Sequence, residues 1–283
     1  MDNLNRFLSV RERLTDFLQE DIGTGDITSN NIIPADLKAR AEIISKSRLA
    51  VVCGLEEASM LFDMCGCDSE ILVEEGSKVS KGTAVLNVSG DARGILKAER
   101  TALNIIMRMS GIATETRRIV DLAKGITILA TRKTAPGLRY FDKKAVALGG
   151  GGAHRMKLDD MALIKDNHLA LSSDIVKTIR SIRENVGSSI KVECEARTKE
   201  EALAIVAAEA DIVMLDNFTP KQAEQTIRQI RRMGTQKSVM IEISGGITDK
   251  NIRDYRRAKP DFISIGYITH SSKAADFSLE IMK

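Results

Sequence analysis

The chain has 283 residues, 43% of them hydrophobic and 29% charged, with a net charge of only +3. That is enough apolar material for a sizeable core in one large or two moderate domains, and well-mixed charges exclude a disordered segment. A near-neutral balance without a run of like charge excludes a nucleic-acid-binding tail. With no signal-peptide-like start and no long apolar run, we expect a cytoplasmic protein without a membrane partner.

The chain opens on an amphipathic helix over residues 7–19, with Phe7, Val10, Leu14, Phe17 and Leu18 on one face. The glycines among acids in residues 20–28 (EDIGTGDIT) read as a helix stop and a turn. Residues 41–53 are rich in β-branched and apolar side chains and give one or two strands, followed by a helix near 55–64. The short strands and glycine turns from Ile71 to Gly90 resemble the small β-sandwich of biotinyl and lipoyl carrier domains, without their attachment lysine. A long helical pattern begins at Arg93, with an interruption expected at Ser110-Gly111 and a second helix over 114–124. Cys65 and Cys67 form a C-x-C pair lacking a second pair or a nearby histidine, so they read as free thiols and not as a zinc site.

After Gly125 short apolar segments alternate with helical ones, the pattern of βα units on a parallel sheet. Strands are expected at 126–130, 161–164, 189–193, 211–215, 238–243 and 261–265. Helices are expected near 172–186, 199–208, 220–233 and 249–257. Thr131-Arg132-Lys133 follow the first strand and Lys165 the second. Glu195 and Asp216 end the third and fourth, Ser244-Gly245-Gly246 follow the fifth, and Gly266-Tyr267 with His270 follow the sixth. Polar and glycine residues at the same end of every strand point to one shared pocket, as at the mouth of a β/α barrel. Too few strands for a closed barrel imply an incomplete one.

Residues 131–168 hold eight lysines and arginines against four aspartates, together with His154, His168 and the glycine run 149–152. Concentrated cations beside glycines that expose backbone amides point to a small, strongly anionic substrate. Glu195 and Asp216 supply an acidic pole suited to Mg²⁺ shared with phosphates, and the late glycines suit a phosphate cradle. Two other readings remain open: a Schiff-base aldolase using Lys133 or Lys165, and a phosphate- or nucleotide-binding module without catalysis.

The blocks EDIGTGDIT (20–28), ERTALNIIMRMSGIAT (99–114), TRKTAPGLR (131–139) and GGGGAHRMKLDDMALIKDNH (149–168) resemble those of the quinolinate phosphoribosyltransferase family. VECEA, VMLDNF, ISGGI and DFISIGYITHS agree in order and spacing. The resemblance implies an N-terminal α/β sandwich over 1–110 with a carrier-domain-like β element. It also implies an open, incomplete parallel β/α barrel over 111–270, and we expect a C-terminal helix over 271–283 returning to the first domain. It implies conversion of quinolinate and phosphoribosyl diphosphate to nicotinate mononucleotide, CO₂ and diphosphate with Mg²⁺, in homodimers or larger assemblies. Arg132, His154, Arg155 and Lys165 would then grip the quinolinate carboxylates, and Lys133 would bridge both substrates as a catalytic residue. Glu195 and Asp216 would take ribose hydroxyls and Mg²⁺. Ser244, Gly245, Gly246, Ile265, Gly266 and Tyr267 would line the 5′-phosphate site, with Thr131 and His270 beside them, and Arg100 would enter a neighbouring subunit's pocket. A paralogue associated with molybdenum transport is the nearest rival; Lys165 favours the NAD pathway.

Overall fold

The computed structural model describes residues 2–172, 174–234 and 238–282, with side chains from residue 10 onward. Helix α1 (Asp2–Ile22) buries Val10, Leu14 and Leu18 along one stripe. Phe7, expected on that face, lies outside the described side chains. Gly23 and Gly25 adopt positive φ, and Asp26 then caps α2 (Ile27–Ile32) by accepting the Ser29 N–H at 2.9 Å. This helix sits where only a turn was expected, because six residues are too few to display a helical period.

Strands β1 (Lys38–Ser45) and β2 (Leu49–Val51), helix α3 (Leu55–Met64), strands β3 (Cys67–Ile71), β4 (Lys78–Ser80) and β5 (Ala84–Asp91), and helix α4 (Ala92–Ala123) follow. Helix α4 is continuous, contrary to the break expected at Ser110-Gly111. The small residues there mark contacts. Ser110 Oγ accepts the Cys53 N–H at 2.9 Å and donates to the Cys53 carbonyl at 3.1 Å. A Cβ on Gly111 would lie 2.2 Å from the Lys273 carbonyl oxygen. Glycine costs helix stability, and here close backbone approach requires it.

Next come β6 (Thr127–Ala130), α5 (Arg139–Leu148), β7 (Ala162–Ile164), α6 (Asp166–Ala170), α7 (Ile175–Val186), β8 (Val192–Ala196) and α8 (Lys199–Ala207). The chain continues through β9 (Ile212–Asp216), α9 (Pro220–Ile230), β10 (Met240–Ser244), α10 (Ile252–Tyr255), β11 (Phe262–Ile265), α11 (Tyr267–His270) and β12 (Phe277–Ile281). Capping explains several boundaries. Thr198 and Thr219 close capping boxes with Glu201 and Gln222, and Pro220 opens α9. Asp174 caps α7; Ser173, within the range expected for that helix, lies outside the described residues.

Two compact units result. The first comprises Met1–Glu115, Ala135–Gly149 and Ser271–Lys283, and its antiparallel sheet has the order β12-β1-β5-β3. The C-terminal segment therefore returns as a strand, not as the expected helix, pairing Ser45 with Phe277 and Ala41 with Ile281. Its Phe-Ser-Leu-Glu-Ile alternation has the two-residue period of a half-buried strand.

The second unit comprises Thr116–Thr134 and Gly150–His270. Its parallel sheet has the order β6-β11-β10-β9-β8-β7, with helices interleaved along the chain. This is the open, incomplete barrel: β6 and β7 form its edges, and Gly152 bridges to Leu129 on β6. Strand β8 begins three residues later than expected, so Glu193 and Glu195 both belong to it and share one face. Among the described residues, no helix is long and apolar enough to cross a membrane.

Candidate active site

A cavity of about 720 Å³ opens at the C-terminal ends of the second unit's strands. Thr131, Arg132, Lys133, His154, Arg155, Lys165, Glu195, Asp216, Ser244, Gly245, Gly246, Ile265, Gly266, Tyr267 and His270 all line it. Arg100 does not; it is exposed on α4, in the first unit.

The cation-rich stretch is divided by the fold. Its middle, 135–149, belongs to the first unit, where Lys144 Nζ lies 2.6 Å from Glu56 and 2.8 Å from Glu57. Those contacts are structural. Arg132, Lys133, Arg155 and Lys165 are the cations that line the cavity. Arg132 Nε is buried and without a hydrogen-bond partner. Arg155 donates to the Met161 carbonyl at 3.0 Å. Burial, followed by the charge of Arg132, disfavours protonation of Arg155. Neighbouring guanidiniums of this kind favour a ligand carrying more than one negative charge.

None of the glycines at 149–152 lines the cavity, and two of their amides are used by the fold. Gly149 N–H caps α5 at the Ala145 carbonyl, and Gly152 N–H bonds the Ile128 carbonyl at 2.7 Å. A Cβ on Gly152 would lie 2.6 Å from Leu129 Cδ2, so glycine here admits the chain against β6. His168 is exposed, and its Nδ1 accepts the Lys165 N–H at 2.9 Å as a helix cap.

On the acidic side, Lys165 Nζ lies 3.2 Å from Glu195 Oε2. Burial raises the Glu195 pKa while Lys165 opposes the rise. Asp216 Oδ2 accepts from Asn217 Nδ2 at 2.7 Å. Each carboxylate thus has one engaged oxygen and a second that can face a hydroxyl or a hydrated cation. Gly245 and Gly246 both have positive φ (94° and 62°) and turn the chain beside Ser244. A Cβ on Gly245 would lie 2.3 Å from Asn217 Oδ1, so no larger residue fits. Such a left-handed turn presents N–H groups toward an anion. Thr269 Oγ1 donates within 2.9 Å of the Lys133 carbonyl, tying the loop after β6 to the end of β11.

Sequence reasoning placed Glu193 and Asn217 at strand ends without giving either a role, and passed over Glu242. The two glutamates are fully buried with His154 between them, its Nε2 3.2 Å from Glu193 and 3.4 Å from Glu242. Burial disfavours charge on the imidazole, but the close approach and charge of the two glutamates outweigh it and raise its pKa to about 9. Against that, Nδ1 accepts the Arg155 N–H at 2.7 Å, which requires a bare nitrogen. A second ring proton would break this bond, so we place the single proton on Nε2. Burial, and then the neighbouring Glu242, raise Glu193 well above the ordinary carboxylate range. Two acids within apolar strands, VECEA and MIEIS, were the available signal.

Residues 112–280 match the family model described as quinolinate phosphoribosyl transferase, C-terminal domain, and residues 26–110 match its N-terminal domain. The chain belongs to the quinolinate phosphoribosyltransferase family. It is 41% identical over 272 residues to the probable carboxylating nicotinate-nucleotide pyrophosphorylase of Methanothermobacter thermautotrophicus, covering 95% of this chain and 97% of that one. It is 37% identical to the Bacillus subtilis protein of the same description, over 97% of this chain and 94% of the relative. The solved nicotinate-nucleotide pyrophosphorylase of Francisella tularensis superposes with a TM-score of 0.90 at 35% identity, covering 97% of this chain and 96% of the other. Quinolinate phosphoribosyltransferase membership thus extends over both units.

Proposed function

We propose that the chain transfers the phosphoribosyl group of phosphoribosyl diphosphate to quinolinate with decarboxylation, giving nicotinate mononucleotide, diphosphate and CO₂ in NAD biosynthesis. The observation that carries this reading is one cavity lined by both kinds of group, Arg132, Arg155 and Lys165 together with Glu195 and Asp216, with Lys165 joining the two sets at 3.2 Å from Glu195. A diacid needs the first, and a ribose with hydrated Mg²⁺ needs the second.

In this reading Arg132 and Arg155 hold the two ring carboxylates, and Lys133 reaches between acceptor and donor. Glu195 and Asp216 accept from the ribose hydroxyls, and the Gly245–Gly246 turn receives the 5′-phosphate. Bond breaking at C1 gives ribose oxocarbenium character while the pyridine nitrogen attacks. No strong base is needed, so alignment and charge stabilisation carry the acceleration. The quaternised nitrogen then stabilises the carbanion left when the adjacent carboxylate departs as CO₂, and that carbon takes up a proton from solvent to give nicotinate mononucleotide. Glu195 and Asp216, ending neighbouring strands, would suit Mg²⁺, since this ion needs few protein carboxylates and keeps water and phosphate ligands. When bound, Mg²⁺ would offset charge on the departing diphosphate.

Arg100 enters this scheme from a second copy of the chain, in a homodimer or larger assembly with shared sites. Its exposure on α4 leaves the side chain accessible to a second copy. Incubation with quinolinate, phosphoribosyl diphosphate and Mg²⁺ tests the activity: nicotinate mononucleotide and CO₂ should appear in equal amounts. Intact substrates after incubation with the folded protein would reject it.

A further inference from the structure

Glu193 and Glu242 are completely buried, and none of their four carboxylate oxygens has a hydrogen-bond partner among the described residues. Buried carboxyls without donors are costly, and strands retain them only where something nearby offsets the cost. The one candidate partner is His154 Nε2, which approaches both within 3.4 Å without an aligned bond to either. Such a group needs a cation or a proton at its centre.

The other edge of the imidazole distinguishes these possibilities. A metal on Nε2 would leave the ring proton on Nδ1, where it would point at the Arg155 N–H. That N–H instead donates to Nδ1 at 2.7 Å, so the ring proton is on Nε2, between the two glutamates. His154 also has φ +48°, a left-handed conformation that side chains rarely adopt. Its bond to the next residue's amide secures that conformation. From there the chain turns so that Arg155 enters the cavity and donates to Met161. Nδ1 is therefore occupied by the protein, while Nε2 faces the two glutamates.

We propose that Glu193 and Glu242 are positioning residues of the acceptor site, gripping the Nε2–H of His154 so that its Nδ1 fixes the Arg155 backbone and aims the guanidinium. Both side chains are buried, and of the two only Glu242 borders the cavity, so their assigned part is to hold His154. The kinetic part of this claim rests on the reading of quinolinate as acceptor; the proton placement does not.

The first test is ¹⁵N NMR of the full-length protein labelled in its three histidines, with His154 assigned by difference from His154→Gln. The account expects a proton on Nε2 and a bare, hydrogen-bonded Nδ1. A proton on Nδ1, or loss of the Nε2–H signal on adding Zn²⁺, would overturn it. The second test compares Glu242→Met and Glu193→Met with the corresponding Gln variants, which keep an acceptor oxygen. In the Met variants the KM for quinolinate should rise at least about tenfold while that for phosphoribosyl diphosphate stays within about twofold, and the ¹⁵N shifts of His154 should move. Gln should recover most of both. Equal rises in both KM values, or unchanged His154 shifts in a folded Met variant, would contradict the proposal. If the Met variants do not fold, the wild-type proton placement still decides it. Should quinolinate prove not to be the acceptor, the NMR result would stand independently.

Discussion

Gly266 lies beneath the stem of Lys133: a Cβ at that glycine would sit 3.0 Å from Lys133 Cδ and 3.4 Å from His270 Nε2. The backbone conformation at Gly266 is one any residue adopts, whereas Gly245 has φ +94° and Asn217 pressed against it. Two glycine-to-alanine changes in one cavity should therefore behave differently. Gly266→Ala should fold with near wild-type stability but lose activity, because the flexible lysine yields and is displaced. Gly245→Ala should lose roughly 1–3 kcal/mol from backbone strain alone. Thermal unfolding beside steady-state rates checks the contrast, and equal melting temperatures for the two variants would refute it.

Lys165 follows β7 and is half-exposed, contacting Glu195. Its removal should cost little packing but strip a cation from the acceptor pole and leave Glu195 without its ion-pair partner. Lys165→Ala should melt like wild type and turn over quinolinate at least about a hundredfold more slowly, as expected when one positioned charge contact of the reacting site is lost. Full activity in a folded variant would remove Lys165 from the site.

Much of this site was legible because barrel chemistry follows strand ends, and the residues after each apolar segment from Ile128 to Ile265 could be gathered before any coordinates. The gathering failed where one sequence signal serves two causes. Lys144 and Arg155 look alike in a basic stretch, yet one faces Glu57 in the first unit and the other lines the cavity. Ser110-Gly111 reads as a break because small residues weaken helices, and nothing local reveals Cys53 and Lys273 packed against them. Glu193 drew no role because a strand ending at 193 places it at a polar tip like its neighbours; three further residues of strand bury it.

The thiols offer a pH test of the interior. Among the described residues all four cysteines are free, with Cys53, Cys67 and Cys194 buried. Burial raises Cys67 to about 11 and Cys194 to about 12, above the ordinary 9.0, by disfavouring the thiolate. The unfolded chain releases these protons first. Its lower proton count above that ordinary value means their contribution to stability, complete below it, falls as pH rises through the raised values. Iodoacetamide near about pH 8 should leave Cys194 unmodified in the native protein and label it in urea. Equal labelling rates would contradict its burial.

Arg100 distinguishes sharing from self-sufficiency. Arg100→Ala and Lys165→Ala homo-oligomers should each be nearly inactive. In mixed dimers, one site would carry both changes and the other neither. Random assembly from equal amounts would restore roughly a quarter of all sites. Verified heterodimers that recover nothing would place Arg100 outside the site.

The most direct measurement is turnover of carboxyl-labelled quinolinate against nicotinate, each with phosphoribosyl diphosphate and Mg²⁺. Nicotinate lacks one carboxylate and would leave a cation of the Arg132–Arg155 pole unpaired, at a cost of roughly 3–5 kcal/mol. We expect one labelled CO₂ per nicotinate mononucleotide from quinolinate, and a kcat/KM for nicotinate lower by about two to four orders of magnitude. Comparable turnover of the two acids, or nucleotide formed from quinolinate without CO₂, would contradict the account.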